Sequence, residues 1–124
     1  MLELISIGEG WKNLHWCCLH YLHPISLDNL NPFLGDLYMV LLMSVFPGFG
    51  GQEFIPETIS KISSLRKIID ELKKDIRLEV DGGIKESNIS EVASAGADTF
   101  VAGSAIFNKS SYIDAIKNLK DNSN

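Results

Sequence analysis

The sequence predicts an α/β fold built on parallel strands, and three observations carry that prediction. From residue 38 onward, strand-like and helix-like segments alternate three times. Each strand-like segment runs into a loop that contains glycine, and the ends of parallel strands are where such folds place their sites. In one strand, Arg77, Glu79 and Asp81 share a face. An open, doubly wound sheet would press that face against apolar helices, whereas a closed barrel gives it an interior that accepts charge. The pattern therefore favours a barrel.

The elements follow in order. Tyr38 to Val45 is a continuous apolar run broken only by Ser44, the pattern of a strand buried on both faces. Phe46 to Gln52 is a glycine-rich loop. Pro56 and Glu57 suit the first turn of a helix. Ile59, Ile62, Leu65, Ile69 and Leu72 then form an apolar stripe at helical spacing, read as core packing rather than a partner groove. Lys73 and Lys74 suit the negative end of that helix. Together with Lys61, Arg66 and Lys67 they read as a solvated face. Ile76 to Asp81 alternates with period two, with Ile76, Leu78 and Val80 on the apolar side. Gly82 and Gly83 end it. Ser87 is the predicted cap of a short helix carrying Ile89, Val92 and Ala93, and Gly96 is its stop. Thr99 to Ala102 is the next strand. Ser111 with Asp114 resembles a capping box, and Ile113, Ile116 and Leu119 line the helix that follows. Residues 121–124 are a polar tail.

Residues 1–37 have only weak periodicity and read as irregular. They hold both Trp, both Cys and all three His. Ile25 to Asn31 suits a short helical turn with Ser26 as cap, and Gly35-Asp36 a turn before the next strand. His15, His20 and His23 with Cys17 and Cys18 offer metal-ligand atoms, but their spacing fits no zinc pattern and they read as incidental side chains. Adjacent cysteines cannot join distant segments, which fits a reducing, cytoplasmic setting. Glu3 and Glu9 stand where a signal peptide would carry positive charge, so no export signal is expected. No apolar run reaches the roughly 18 residues of a membrane span. With 11 Lys and Arg against 16 Asp and Glu, the net charge is −5. That excludes the broad positive field of a nucleic-acid binder but leaves room for a local site for a small phosphate ester.

Three loops carry the chemistry: Gly48 to Gly51, Asp81-Gly82-Gly83, and Gly103-Ser104. Glycine lets backbone N–H groups approach an anion, and a following helix start adds partial positive charge. Structural turns need glycine too, so spacing alone leaves both readings open. Asp81, at a strand end before two glycines, is either a turn-former or a general acid/base and metal ligand.

At these positions the sequence resembles ribulose-phosphate 3-epimerases. Val40 to Gln52, with Phe54-Ile-Pro56, Lys61-Ile62 and Leu65-Arg66, looks like the sixth strand and following loop of that family. Val80 to Ile84, Gly96-Ala-Asp98 and Val101 to Phe107 look like its seventh and eighth units. The resemblance implies that residues 38–120 are units 6 to 8 of a TIM (β/α)8 barrel, the chain being a C-terminal half-barrel. It implies an enzyme that interconverts ribulose 5-phosphate and xylulose 5-phosphate in the pentose phosphate pathway by metal-assisted proton transfer at C3 between two carboxylates. Asp81 matches one acid/base and a metal ligand. Gly48, Phe49, Gly50, Gly51, Gly82, Gly83, Gly103 and Ser104, with Asp81, match substrate and phosphate contacts. Met43 matches an active-site methionine or is a core residue. The implied cofactor is one divalent ion (Zn, Fe, Mn or Co) and no organic group; the implied partner is a small sugar phosphate, with neither nucleic acid nor membrane.

The match has gaps. Units 1 to 4 of the family, with a second Asp, two metal-binding His and a substrate-binding Ser, have no counterpart here. Leu2 to Ile5 and Pro24 to Ser26 resemble the flanks of a fifth unit, but Trp11 to His23 does not resemble its centre. A reading-frame shift upstream of residue 24 would produce that pattern, and the nucleotide sequence tests it. Phe46 stands where the family has Asn. One carboxylate cannot serve both faces of a carbon, so the chain alone is expected to lack turnover. The alternatives are a non-catalytic phosphate-binding half-barrel and a related hexulose-phosphate 3-epimerase. Open sheet edges predict a homo-oligomer or self-association.

Overall fold

The computed structural model describes residues 18–21, 27–29, 31–32, 34–46, 48 and 50–124. Strand β1 (Cys18–Tyr21) is followed by two short 3-10 turns (Leu27–Asn29 and Leu34–Asp36). Then come β2 (Met39–Met43), α1 (Thr58–Glu71), β3 (Arg77–Asp81), α2 (Ile89–Ser94), β4 (Thr99–Val101), α3 (Ser104–Phe107) and α4 (Tyr112–Asn122). The four strands form one sheet in the order β1-β2-β3-β4, and every pairing is parallel. Among the described residues the sheet is an open arc: β1 and β4 stand at opposite edges. No described helix is long and apolar enough to cross a membrane.

Alternation within the strands sorts the two sheet faces. Val40 and Leu42 of β2 and Leu78 and Val80 of β3 are fully buried. They pack with Ile62, Leu65 and Ile69 of α1 and with Ile89 and Val92 of α2 in one apolar core. The predicted stripe of α1 is thus the core face of that helix. The opposite sheet face carries Met39, Leu41 and Met43 beside Arg77, Glu79 and Asp81, matched pair by pair. Arg77 is exposed and forms no ion pair among the described residues.

A polar clamp joins α1, β3 and β4. Asp98, just before β4, accepts the Leu78 N–H on both carboxylate oxygens (3.1 and 3.2 Å) and the Thr99 hydroxyl (2.8 Å). Arg66 of α1 donates to Asp98 Oδ2 at 2.9 Å and to the Gly96 carbonyl at 2.9 Å. Gly96 ends α2 with φ +119°, and a Cβ there would lie 2.5 Å from Arg66 Cγ.

Several local readings change. Cys18–Tyr21, left without an element by a segment of weak periodicity, is a strand, held by its pairing with β2. The residue at the start of α2 is Asn88, not Ser87. Asn88 Oδ1 accepts the Lys85 N–H (2.9 Å) and Nδ2 donates to the Gly83 carbonyl (2.8 Å), so it closes the turn that feeds the helix. In α4 the buried residues are Ala115 and Leu119; Ile113 is 81% exposed and Ile116 40%. The helix packs against α3 and α2, and Ile113 stays outside that packing. Ser111 does cap α4, accepting the Asp114 N–H at 3.4 Å, and α4 runs to Asn122, into the predicted tail. Lys73 takes φ +53° just past the end of α1, and Lys74 Nζ donates to the Gly35 carbonyl. The readings on Leu2 to Ile5, Trp11 to Cys17, and His23 to Ser26 lie outside the described residues.

Gly96→Ala introduces a side chain at a left-handed φ and displaces Arg66 from the clamp. We expect it to cost about 1–3 kcal/mol, read as a lower urea midpoint with an unchanged slope; an unchanged midpoint would refute the clamp's importance.

Candidate functional site

The carboxyl ends of β2, β3 and β4 open on one cavity of about 330 Å³. Register brings this about: Met43 pairs with Asp81, and Asp81 with Val101, so the three strands end level. The cavity is lined by Met43, Val45, Gly48, Gly50, Gly51, Gln52, Asp81, Gly82, Gly83, Ile84, Val101, Gly103 and Ser104. Every described residue singled out from the sequence is in that set, Met43 included. Phe49 lies outside the described residues.

Each wall has its own local cause. The loop after β2 closes on itself, with Gln52 Nε2 donating to the Phe46 carbonyl at 2.5 Å, so Phe46, 63% exposed, contributes its backbone to the loop. Gly48 and Gly51 take φ +158° and +74°. The turn after β3 is packed more tightly. Gly82 has φ +126°, and a Cβ there would meet Val45 Cγ2 at 2.6 Å. Gly83 has φ +67°, and its Cβ would overlap the Phe54 backbone. Glycine is thus required twice in succession. Gly103, in contrast, has open space around its Cβ position and an ordinary φ of −74°.

Of the helix starts expected to add partial positive charge, one stands at the cavity: Gly103 and Ser104, which open α3, both line it. Only four-residue α3 begins directly at a lining loop; α2 begins five residues beyond Ile84, and α1 six residues beyond Gln52. Glycine turns are also the backbone geometry in which successive N–H groups can cradle an anion.

Sequence reasoning missed Ser44. It is wholly buried, its Oγ donates to the Gly82 carbonyl at 2.5 Å, and its N–H donates to the Asp81 carbonyl at 2.8 Å. As the single polar residue in the apolar run of β2, it carried a signal: a buried hydroxyl needs a partner. Val45, Gln52, Ile84 and Val101 also line the cavity without having been singled out.

Residues 17–107 match the Ribulose-phosphate 3 epimerase family. The chain belongs to that family. Ribulose-phosphate 3-epimerase of Escherichia coli K12 is 54% identical over 94 residues, covering 76% of this chain and 42% of that protein. The Serratia marcescens ribulose-phosphate 3-epimerase is 56% identical over 86 residues, covering 69% and 41%. That of Synechocystis is 48% identical over 95 residues, covering 77% and 41%. The chain therefore spans about two-fifths of the length of the curated relatives it matches.

The divalent ion implied by the family resemblance does not fit the described residues taken alone. Among the described residues, Asp81 is the only acidic one lining the cavity, and no group of three His, Cys, Asp or Glu side chains stands together. Hard divalent ions take around six oxygen ligands, and affinity falls with each missing charge. We expect Mn²⁺ to broaden the amide signals of Asp81 and Gly82 only at concentrations on the order of millimolar or above; saturable micromolar broadening would refute this.

Proposed function

We propose that the chain supplies the sugar-phosphate-binding loops and one acid/base carboxylate of a ribulose-phosphate 3-epimerase, which interconverts D-ribulose 5-phosphate and D-xylulose 5-phosphate. The observation that carries this reading is the meeting of Asp81 with three glycine-bearing loops around one cavity. Gly48, Gly50, Gly51, Gly82, Gly83, Gly103 and Ser104 hold the substrate, chiefly through backbone N–H groups; Phe49 is assigned with them on sequence. The ionised Asp81 takes the proton from C3, which leaves an enediolate. Inversion is complete when a second acid returns a proton to the opposite face of that carbon. Asp81 reaches one face only, so the second acid comes from outside the described residues.

Titration of the purified chain with D-ribulose 5-phosphate is expected to shift the Gly83 and Gly103 amide signals saturably and to form no D-xylulose 5-phosphate. Gly103→Val, whose side chain enters open space, is expected to stay folded and to weaken binding by about tenfold or more, a loss of roughly 1.4 kcal/mol. Absence of binding would end the site reading, and turnover by the chain alone would end the single-carboxylate reading.

We also propose that the chain self-associates through its open sheet edge. Five large apolar side chains are exposed on β4, α3 and α4: Val101, Phe107, Tyr112, Ile113 and Ile116. Ile116 also lines a cavity of about 350 Å³ with Phe100, Ala102, Ile106 and Leu119. Unpaired strand edges beside apolar surface promote association. Light scattering coupled to size exclusion is expected to show dimers or larger species at micromolar concentrations, shifted toward monomer by Ile113→Lys; a clean monomer of 13.7 kDa would refute this.

A further inference from the structure

We infer that Ser44 is a positioning residue for the cavity: its hydroxyl turns the Gly82–Gly83 peptide so that the Gly83 N–H faces a bound phosphate ester. The inference rests on the reading of the cavity as a sugar-phosphate site and assigns a part of its recognition to a residue that does not line it.

Ser44 follows β2 and is fully buried. It ties three segments together. Its N–H donates to the Asp81 carbonyl at 2.8 Å and its carbonyl accepts the Ile55 N–H at 2.8 Å. Its Oγ donates to the Gly82 carbonyl at 2.5 Å. None of the described peptide bonds is cis, and in a trans peptide the C=O and N–H point in opposite directions. Holding the Gly82 carbonyl on Ser44 therefore directs the Gly83 N–H away from the buried hydroxyl, and Gly83 is one of the residues that line the cavity. The next peptide is pinned as well, since Asn88 Nδ2 donates to the Gly83 carbonyl at 2.8 Å. Gly83 thus sits between two peptides whose carbonyls are each held by a side chain. A preset donor orders nothing further when the anion arrives, which is how preorganisation raises affinity. An alanine at position 44 keeps the strand but leaves the Gly82 carbonyl without its donor, so the peptide is free to rotate.

The test compares Ser44→Ala, Ser44→Thr and the wild-type chain by amide NMR titration with inorganic phosphate, with D-ribulose 5-phosphate, and with neutral D-ribulose as control. Urea denaturation is run on each so that affinities are compared between fully folded samples. Loss of one oriented hydrogen bond is expected to weaken phosphate and phosphate-ester binding by about five- to tenfold in Ser44→Ala and to shrink the phosphate-induced shift of the Gly83 amide. Ser44→Thr restores both. The weak response to D-ribulose is the same in all three. A purely structural serine would change the urea midpoint and leave the anion affinity of the folded protein alone, which would overturn the inference. If Ser44→Ala does not fold, Ser44→Cys, of similar size with a weak donor, takes its place with the same expected direction and the same refuting result. Failure of the wild-type chain to bind either anion overturns the site reading and this inference with it; wild-type binding that the Ser44 substitutions leave unchanged overturns this inference alone.

Discussion

Everything at the rim depends on the parallel register of β2, β3 and β4. Side chains alternate along a strand, so a slip of one residue moves every side chain to the other face. Leu78 and Val80 are wholly buried against the helices, and that burial forces Asp81 onto the opposite face, level with Met43 and Val101. Burial of two apolar side chains, each contributing about 1.5–3 kcal/mol, thereby fixes the direction of a carboxylate that contributes nothing to the core. The glycine turns start from this shared level, so the loops that follow meet over one cavity rather than at scattered heights.

The two faces of the sheet live in different surroundings. One is sealed by α1 and α2. The other carries Arg77, Glu79 and Asp81, and all three retain some exposure. A charged group pressed beneath an apolar helix without a partner would be costly, so this composition suits a face that looks into a polar interior. The lateral edge differs again. Beyond β4, the rings of Phe107 and Tyr112 meet edge to face at 5.7 Å while both remain more than half exposed. Apolar contact there is begun and left open on one side, in contrast to the closed packing around Ile62 and Leu65.

The sequence was most legible where short-range patterns decide structure. The period-two run from Ile76 to Asp81, the stripe from Ile59 to Ile69 and the glycine stop at Gly96 are each set within a few residues, and each corresponds to an element. Cys18–Tyr21 is a strand because β2 offers it a parallel edge, and nothing in Cys-Leu-His-Tyr announces that. Ser87 and Asn88 are both good caps by residue type; the choice falls to Asn88, whose side chain also reaches the Gly83 carbonyl. Ile113 has core chemistry but is 81% exposed, since periodicity reports which face is apolar and not whether anything lies opposite. At the site, the glycines and Asp81 could be picked out by position alone. Ser44 was hidden inside an apolar run, its role visible only once the Asp81–Gly83 turn lies beside it.

The geometry also separates recognition from chemistry. The lining residues all fall between Met43 and Ser104, one stretch of chain forming one arc of the rim. Recognition of an anion by backbone N–H groups is local to such an arc, because the donors belong to the turns themselves and need no side chain from elsewhere. Proton return is different. Inverting a carbon requires an acid on the face opposite the base, and an arc lies on one side of its ligand. Within this arc, among the described residues, Asp81 is the only lining residue with a carboxylate. A side chain added to the same arc would approach from the side Asp81 already occupies. On the proposed reaction, the acid that returns the proton stands across the cavity from Asp81, outside the described residues.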